Sequence, residues 1–110
     1  MQFLNQNLWF PPVSQASEDG LLAIGGDLSV PRLLLAYQSG IFPWFEDNQP
    51  ILWWSPNPRF VLFPEKLKVS KSMKQVLRNA DFTVSINQDF NQVITQCSNT
   101  KRDGQAGTWI

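Results

Sequence analysis

The sequence has 110 residues, of which 43% are hydrophobic and 16% are charged, which suits one ordinary globular core and excludes two full-sized domains. It contains a single cysteine, Cys97, and no histidine, which excludes an internal disulfide framework, Ser-His and Cys-His nucleophiles and most zinc sites. The net charge is zero, yet residues 1–57 hold one cation and five carboxylates, whereas residues 58–110 hold eight cations and four carboxylates. Halves of charge −4 and +4 favour an anionic partner for the second half.

The start of the chain gives no targeting or membrane signal. It lacks a basic n-region and a small-residue cleavage site, and the chain contains no run near the roughly 18 apolar residues of a membrane span. We therefore expect a cytoplasmic protein with no membrane partner. Residues 1–14 show no sustained period and are predicted to form an extended arm, anchored by Phe3, Leu4, Leu8 and Trp9.

A strand, a turn and a helix are predicted next. Residues 20–27 form a short apolar run closed by two glycines, which predicts a brief strand and a tight turn, with Asp27 or Ser29 capping the following helix. That helix is predicted over residues 30–39, with Gly40 at the position just beyond its end. The double glycine resembles no complete nucleotide-binding motif, so a plain turn is the preferred interpretation.

Aromatic residues and prolines are concentrated in the middle of the chain. Pro43 fixes its own φ and restricts the residue before it, which stiffens the turn that carries Trp44. A strand is predicted over residues 51–55, and adjacent residues of a strand point to opposite faces. One member of the pair Trp53 and Trp54 is therefore predicted to be an exposed aromatic surface.

The prolines of residues 55–59 predict an irregular connection and the boundary between two domains, residues 1–57 and residues 58–110. A second strand is predicted over residues 60–63. Ser70 is predicted to cap a helix ending at residue 79 or 80, whose apolar face packs while its opposite face is basic. The apolar face comprises Met73, Val76, Leu77 and Ala80, and the basic face comprises Lys71, Lys74 and Arg78.

The last predicted elements are a strand over residues 82–86 and a helix over residues 89–98, in which Cys97 is a buried small hydrophobe. A polar loop follows, and the sequence stops in a strand-like segment, residues 108–110, so we interpret the chain as interrupted. A basic helix face alone is commonly just solvated. Combined with exposed tryptophan, it favours binding of single-stranded nucleic acid, whose bases stack on aromatic rings.

Several blocks carry a family resemblance, in order from Asp19 to Ile110. They include Gly40-Ile-Phe-Pro-Trp-Phe, Trp53-Trp-Ser-Pro-Asn-Pro-Arg and Gly107-Thr-Trp-Ile, and together they resemble the leucyl/phenylalanyl-tRNA-protein transferases. The resemblance implies an α+β protein: a small N-terminal α/β domain, residues 1–57, followed by the incomplete start of an acetyltransferase-like (GNAT-like) domain, residues 58–110.

The resemblance also implies a function in N-degron protein degradation. The family moves Leu, Phe or Met from aminoacyl-tRNA to the N-terminal amine of proteins that begin with Arg or Lys, without metal or other cofactor. We expect a cytoplasmic monomer that is inactive as this piece alone, with its catalytic residues beyond Ile110. The alternative is a non-enzymatic binder of nucleic-acid 3′ ends, and a third possibility is that all the aromatics are core.

The resemblance also implies site residues, which are assigned to the matching positions of this sequence. Trp44 and Trp109 correspond to tryptophans that bind the 3′-terminal adenosine, and the helix with Lys71, Lys74 and Arg78 falls where the family has cations that meet the tRNA backbone. The family has arginine where this chain has Lys71, which cannot form the bidentate contacts of a guanidinium.

Overall fold

The computed structural model describes residues 1–105, which divide into two compact units: unit 1, Met1–Leu62, and unit 2, which begins at Phe63. The described chain is a mixed α/β structure with a four-stranded mixed sheet and three α-helices. This confirms the mixed helix-and-strand composition predicted from the sequence. The division between residues 57 and 58 stays a prediction.

Unit 1 is built on the sheet, whose strand order is β1-β2-β4-β3. The strands are β1 Gln2–Leu4, β2 Leu21–Gly25, β3 Phe42–Pro43 and β4 Leu52–Trp54. β1 pairs with β2 in parallel, whereas β2 with β4 and β3 with β4 are antiparallel. The start of the predicted arm is thus an edge strand, and a 3₁₀ turn at Val13–Gln15 follows it.

Helix α1, Val30–Gln38, begins at the predicted residue and ends one residue before the predicted end. Ser29 is the N-cap residue, but its side chain makes no capping bond; instead Asp27 Oδ1 accepts the backbone N–H of Ser29 at 2.9 Å. Gly40 adopts φ +73° just beyond the helix, and Ile41 N–H returns to the carbonyl of Ala36 at 2.8 Å. This is the Schellman arrangement that glycine favours at helix ends.

The core of unit 1 surrounds Trp53. This side chain is fully buried, donates its indole N–H to the Gly25 carbonyl at 2.9 Å and meets the ring of Phe10 edge-on, with centroids 4.8 Å apart. A buried indole needs such a partner for its one donor. The buried apolar residues are Leu4, Leu22, Ala23, Ala36, Ile41 and Trp53.

Arg32 lies in this core with only 1% of its surface exposed. Its Nη2 donates to the carbonyls of Asn5 at 2.8 Å and Asn7 at 3.1 Å, and it also pairs with Asp27 Oδ2 at 3.3 Å. The guanidinium carbon is 5.9 Å from the centre of the Phe10 ring. A buried charge is stable only when it is paired and hydrogen-bonded, so these contacts tie the N-terminal arm to α1.

Gly26 leaves room for the guanidinium of Arg32. Its φ of +76° belongs to the left-handed region, and a Cβ on this residue would lie 3.1 Å from Arg32 Nε and 3.3 Å from Leu4 Cβ. The second glycine of the predicted turn is therefore required both by the backbone conformation and by the buried arginine.

Unit 2 contains a 3₁₀ turn at Pro64–Lys66 and two helices, α2 Lys71–Asn79 and α3 Phe90–Asn99. Both helices were predicted. Ser70 Oγ accepts the N–H of Met73 at 3.1 Å, the predicted N-cap.

The strands predicted over residues 60–63 and 82–86 are wrong, because the structure has no strand at either place. The packing predicted for the apolar face of α2 is also wrong at Met73 and Leu77, which are 50% and 65% exposed, and at Ala80, which is exposed as well. A strand needs a neighbour to accept its hydrogen bonds, and no described strand pairs with residues 60–63 or with residues 82–86. Cys97 is half-buried rather than buried.

Within residues 1–105, none of the helices has both the length and the apolar character needed to cross a bilayer.

Replacing Arg32 with methionine should destabilise unit 1 by about 2–4 kcal/mol, because charged hydrogen bonds to four partners disappear while the apolar stem is kept. Urea unfolding followed by tryptophan fluorescence measures the change. Arg59→Met is the matched control: Arg59 is exposed and its guanidinium donates to the Gly40 carbonyl, so its removal should cost about 1 kcal/mol or less. Equal destabilisation in the two variants would contradict the role of Arg32.

The stability of the folded protein should also fall at acidic pH, because Asp27 becomes protonated there. The Ser29 hydroxyl, the Ser29 N–H and Arg32 lower the pKa of this carboxyl from 3.8 to about 2. Because the folded pKa lies below the unfolded one, the stabilisation is present above about pH 4 and is lost as the pH falls towards 2.

Asp27→Asn should therefore flatten the dependence of stability on pH across this window, and Ser29→Ala should flatten it in part. NMR titration of the carboxyl gives its pKa directly. A value near 3.8 in the folded protein would contradict the assignment.

Candidate nucleic-acid interface

Trp44 follows directly after β3 and is held by its backbone. Its N–H donates to the Leu52 carbonyl at 2.9 Å, which continues the pairing of β3 with β4. The side chain is 55% exposed. The structure thus places this sequence-predicted site residue at the surface, on a backbone fixed by the sheet and by Pro43.

Trp54 supports Trp44. Because Trp53 points into the core, its neighbour Trp54 points to the other face of the sheet, as predicted, and is half-buried there. The indole N–H of Trp54 donates to the Trp44 carbonyl at 2.7 Å, and the two rings lie 6.3 Å apart at 54°. These two residues form a prepared aromatic surface, referred to below as the indole pair.

A shallow pocket of about 300 Å³ opens beside the indole pair. Its polar rim is a turn in which Gln49 N–H donates to the Glu46 carbonyl at 2.9 Å, while Gln49 Oε1 accepts the Glu46 N–H at 3.0 Å. Aromatic walls with a carboxylate and an amide at the rim can hold a flat, polar-edged group such as a nucleobase. The lining residues are Trp44, Phe45, Glu46, Gln49, Leu52 and Trp54.

Sequence reasoning missed the rim residues. The pair Glu46 and Asp47 sits in loop sequence and is ordinarily solvated, so nothing nearby in the chain marks Glu46 as part of a pocket. What the local sequence does not show is the antiparallel pairing of β4 with β3, which brings Leu52 and Trp54 into the lining of this pocket.

The basic face of α2 is present in unit 2. Lys71, Lys74 and Arg78 line one open groove of about 360 Å³ together with Gln75 and Asn79. The helical spacing thus brings the three predicted cations together, and all three are exposed. Arg78 lies in the last turn of the helix, where a cation also stabilises the helix dipole, so part of this pattern has a structural reason.

Trp109 lies outside the described residues, and its role stays a prediction. Within residues 1–105, no group of three histidine, cysteine, aspartate or glutamate residues is arranged to hold a metal ion. The chemistry that the described side chains offer is aromatic stacking in unit 1 and cationic contact in unit 2.

Two family models match the chain. The model described as the leucyl/phenylalanyl-tRNA protein transferase N-terminal domain matches residues 26–57, and the model described as leucyl/phenylalanyl-tRNA protein transferase matches residues 61–110.

The curated relatives that match this chain carry the same family name. The chain is 56% identical over 110 residues to the leucyl/phenylalanyl-tRNA–protein transferase of Flavobacterium johnsoniae, covering 100% of this chain and 52% of the relative. It is 57% identical to that of Christiangramia forsetii with the same coverages, and 55% identical over 107 residues to that of Syntrophus aciditrophicus, covering 97% and 45%. The chain spans about half the length of the curated relatives it matches.

Proposed function

The chain belongs to the leucyl/phenylalanyl-tRNA-protein transferase family, and from this we propose that it is the tRNA-accepting part of an aminoacyltransferase. The proposed reaction moves Leu, Phe or Met from aminoacyl-tRNA to the N-terminal amine of proteins that begin with Arg or Lys, in N-degron protein degradation. The cytoplasm is the proposed compartment, and the proposed state is a monomer.

The reaction itself makes modest chemical demands. The neutral amine attacks the ester carbonyl, an amide bond forms, the ester C–O bond breaks, and the tRNA leaves as its 3′-terminal alcohol with the amine's proton. The ester is already activated, and an α-amine with a pKa near 7.7–8.0 is partly neutral at physiological pH. Holding the amine against the carbonyl can supply about 7–11 kcal/mol, so binding and orientation are the main tasks.

The indole pair is the observation that carries the proposal. A terminal adenosine must be held by its base, and an exposed tryptophan on a fixed backbone offers a stacking surface at little entropic cost. Trp44 is the surface for the base, and Trp54 fixes its backbone through the hydrogen bond to the Trp44 carbonyl and packs its ring beside that of Trp44. Trp109 is proposed as a second contact to this adenosine.

The basic face of α2 is proposed to meet the tRNA backbone. Phosphates are bound by clustered cations, and Lys71, Lys74 and Arg78 offer three exposed positive charges in one groove. Base stacking is thus assigned to unit 1, and the phosphate contacts of this helix are assigned to unit 2.

The exposed apolar segments of unit 2 support the domain proposal. Phe82, Val84 and Ile86 alternate along the chain and are 79%, 84% and 79% exposed, a pattern typical of strands when neighbouring strands cover them. We assign residues 58–110 to the opening of an acetyltransferase-like domain and residues 1–57 to the small N-terminal domain. We assign no catalytic residue to this chain, and expect it to transfer no amino acid by itself.

Trp44→Ala should weaken the binding of aminoacyl-tRNA by about 1–3 kcal/mol, roughly 5- to 150-fold, because the stacking surface for one base is removed. Binding is measured by filter retention of labelled Phe-tRNA, with circular dichroism to verify the fold. Tyr37→Ala is the matched control, since Tyr37 is an exposed aromatic of α1 at 64% and should change nothing. Wild-type affinity in Trp44→Ala would reject the stacking role.

Replacing Lys71, Lys74 and Arg78 together with alanine should reduce the slope of log affinity against log salt, by about 0.7–0.9 for each phosphate that the variant no longer neutralises. The slope is obtained from titrations at several salt concentrations. Gln75→Ala is the matched control: Gln75 lines the same groove but carries no charge, so its removal should leave the slope unchanged. If the triple variant keeps the wild-type slope, the basic face is only solvated.

A further inference from the structure

Arg59 is an exposed arginine whose guanidinium is nevertheless held in place. Its Nη2 donates to the Gly40 carbonyl at 2.8 Å, and its guanidinium carbon lies 5.4 Å from the centre of the Phe42 ring. The same carbonyl also accepts the Ser55 hydroxyl at 3.2 Å. Gly40 lies just beyond the end of helix α1 and takes part in its terminal hydrogen bonding, so the anchor point is itself fixed.

The charge of Arg59 is not neutralised in the described chain. Within residues 1–105, the one ion pair joins Arg32 and Asp27, and no carboxylate pairs with Arg59. A guanidinium has five N–H donors in a planar fork. The hydrogen bond to Gly40 and the contact with Phe42 restrict this fork while leaving its charge for an external anion.

Arg59 lies at one end of a row of aromatic side chains that the sheet holds on one face. Phe42 lies directly opposite Trp54 in the antiparallel pair of β3 and β4, so the two side chains share one face of the sheet. Trp54 in turn contacts Trp44. The row therefore runs from the guanidinium over Phe42 to the indole pair, all within unit 1.

We propose that Arg59 binds the phosphate on the 5′ side of the nucleotide whose base stacks on the indole pair. This inference rests on the proposed function, because it takes the ligand to be the 3′ end of an RNA. An arginine fork matches a phosphate with two parallel hydrogen bonds, which a point charge cannot reproduce. Stacking at one end and a phosphate contact at the other recognise a nucleotide rather than a bare nucleoside.

The test compares adenosine with adenosine 5′-monophosphate, which differ only in the phosphate. Binding to this chain is followed through the tryptophan indole N–H signals in NMR titrations. The wild-type chain should bind the monophosphate about three- to tenfold more tightly than adenosine. Arg59→Gln should bind the two equally, with an unchanged affinity for adenosine that shows the indole pair intact, and Arg59→Lys should keep only part of the preference.

Two controls separate this inference from the proposed function. Trp44→Ala should weaken both ligands by the same factor, and Arg102→Gln, which removes a positive charge from the polar loop of unit 2, should keep the wild-type preference. Equal affinities of the wild-type chain for the two ligands, or a preference that survives in Arg59→Gln, would overturn the role of Arg59 and leave the stacking proposal standing. If neither ligand binds, both proposals fail.

Discussion

The buried guanidinium of Arg32 is the interaction on which the rest of unit 1 depends. It joins the carbonyls of the N-terminal arm to the segment that contains the turn at Asp27 and α1, two parts of the chain that lie far apart in sequence. The arm brings Phe10 against Trp53 and adds β1 to the sheet. With Trp53 fixed inside, the alternation of the strand sends Trp54 outward, where it supports Trp44. A charge in the core therefore determines where the exposed aromatic surface lies.

Local signals in the sequence predict the parts of the fold that depend on local chemistry. Helix α1 stops just before Gly40 because a glycine in the left-handed conformation completes its final turn easily, and α2 begins after Ser70 because the Ser70 hydroxyl accepts the Met73 N–H. The opposite directions of Trp53 and Trp54 follow from strand geometry alone. Each of these features can be read from a few adjacent residues.

Long-range contacts could not be predicted in the same way. The sequence shows Arg32 as the one cation of its half, with no sign that it is buried against residues 5–10. The turn of Glu46 and Gln49 becomes a pocket rim only through the return of β4. The strands predicted over residues 60–63 and 82–86 have the right side-chain pattern, but a strand is stable only where neighbouring strands accept its hydrogen bonds.

Recognition of the RNA end is proposed to need few residues: a fixed indole for the base and cations for the phosphates. The most direct test uses a tRNA that carries the photoreactive base 8-azidoadenosine at its 3′ end, with the site of crosslinking mapped by mass spectrometry. We expect the crosslinks to fall on the residues lining the pocket beside Trp44 and to disappear when adenosine is added in excess. Crosslinks confined to other parts of the chain, or crosslinks that adenosine does not reduce, would contradict the proposal that the indole pair holds the terminal base.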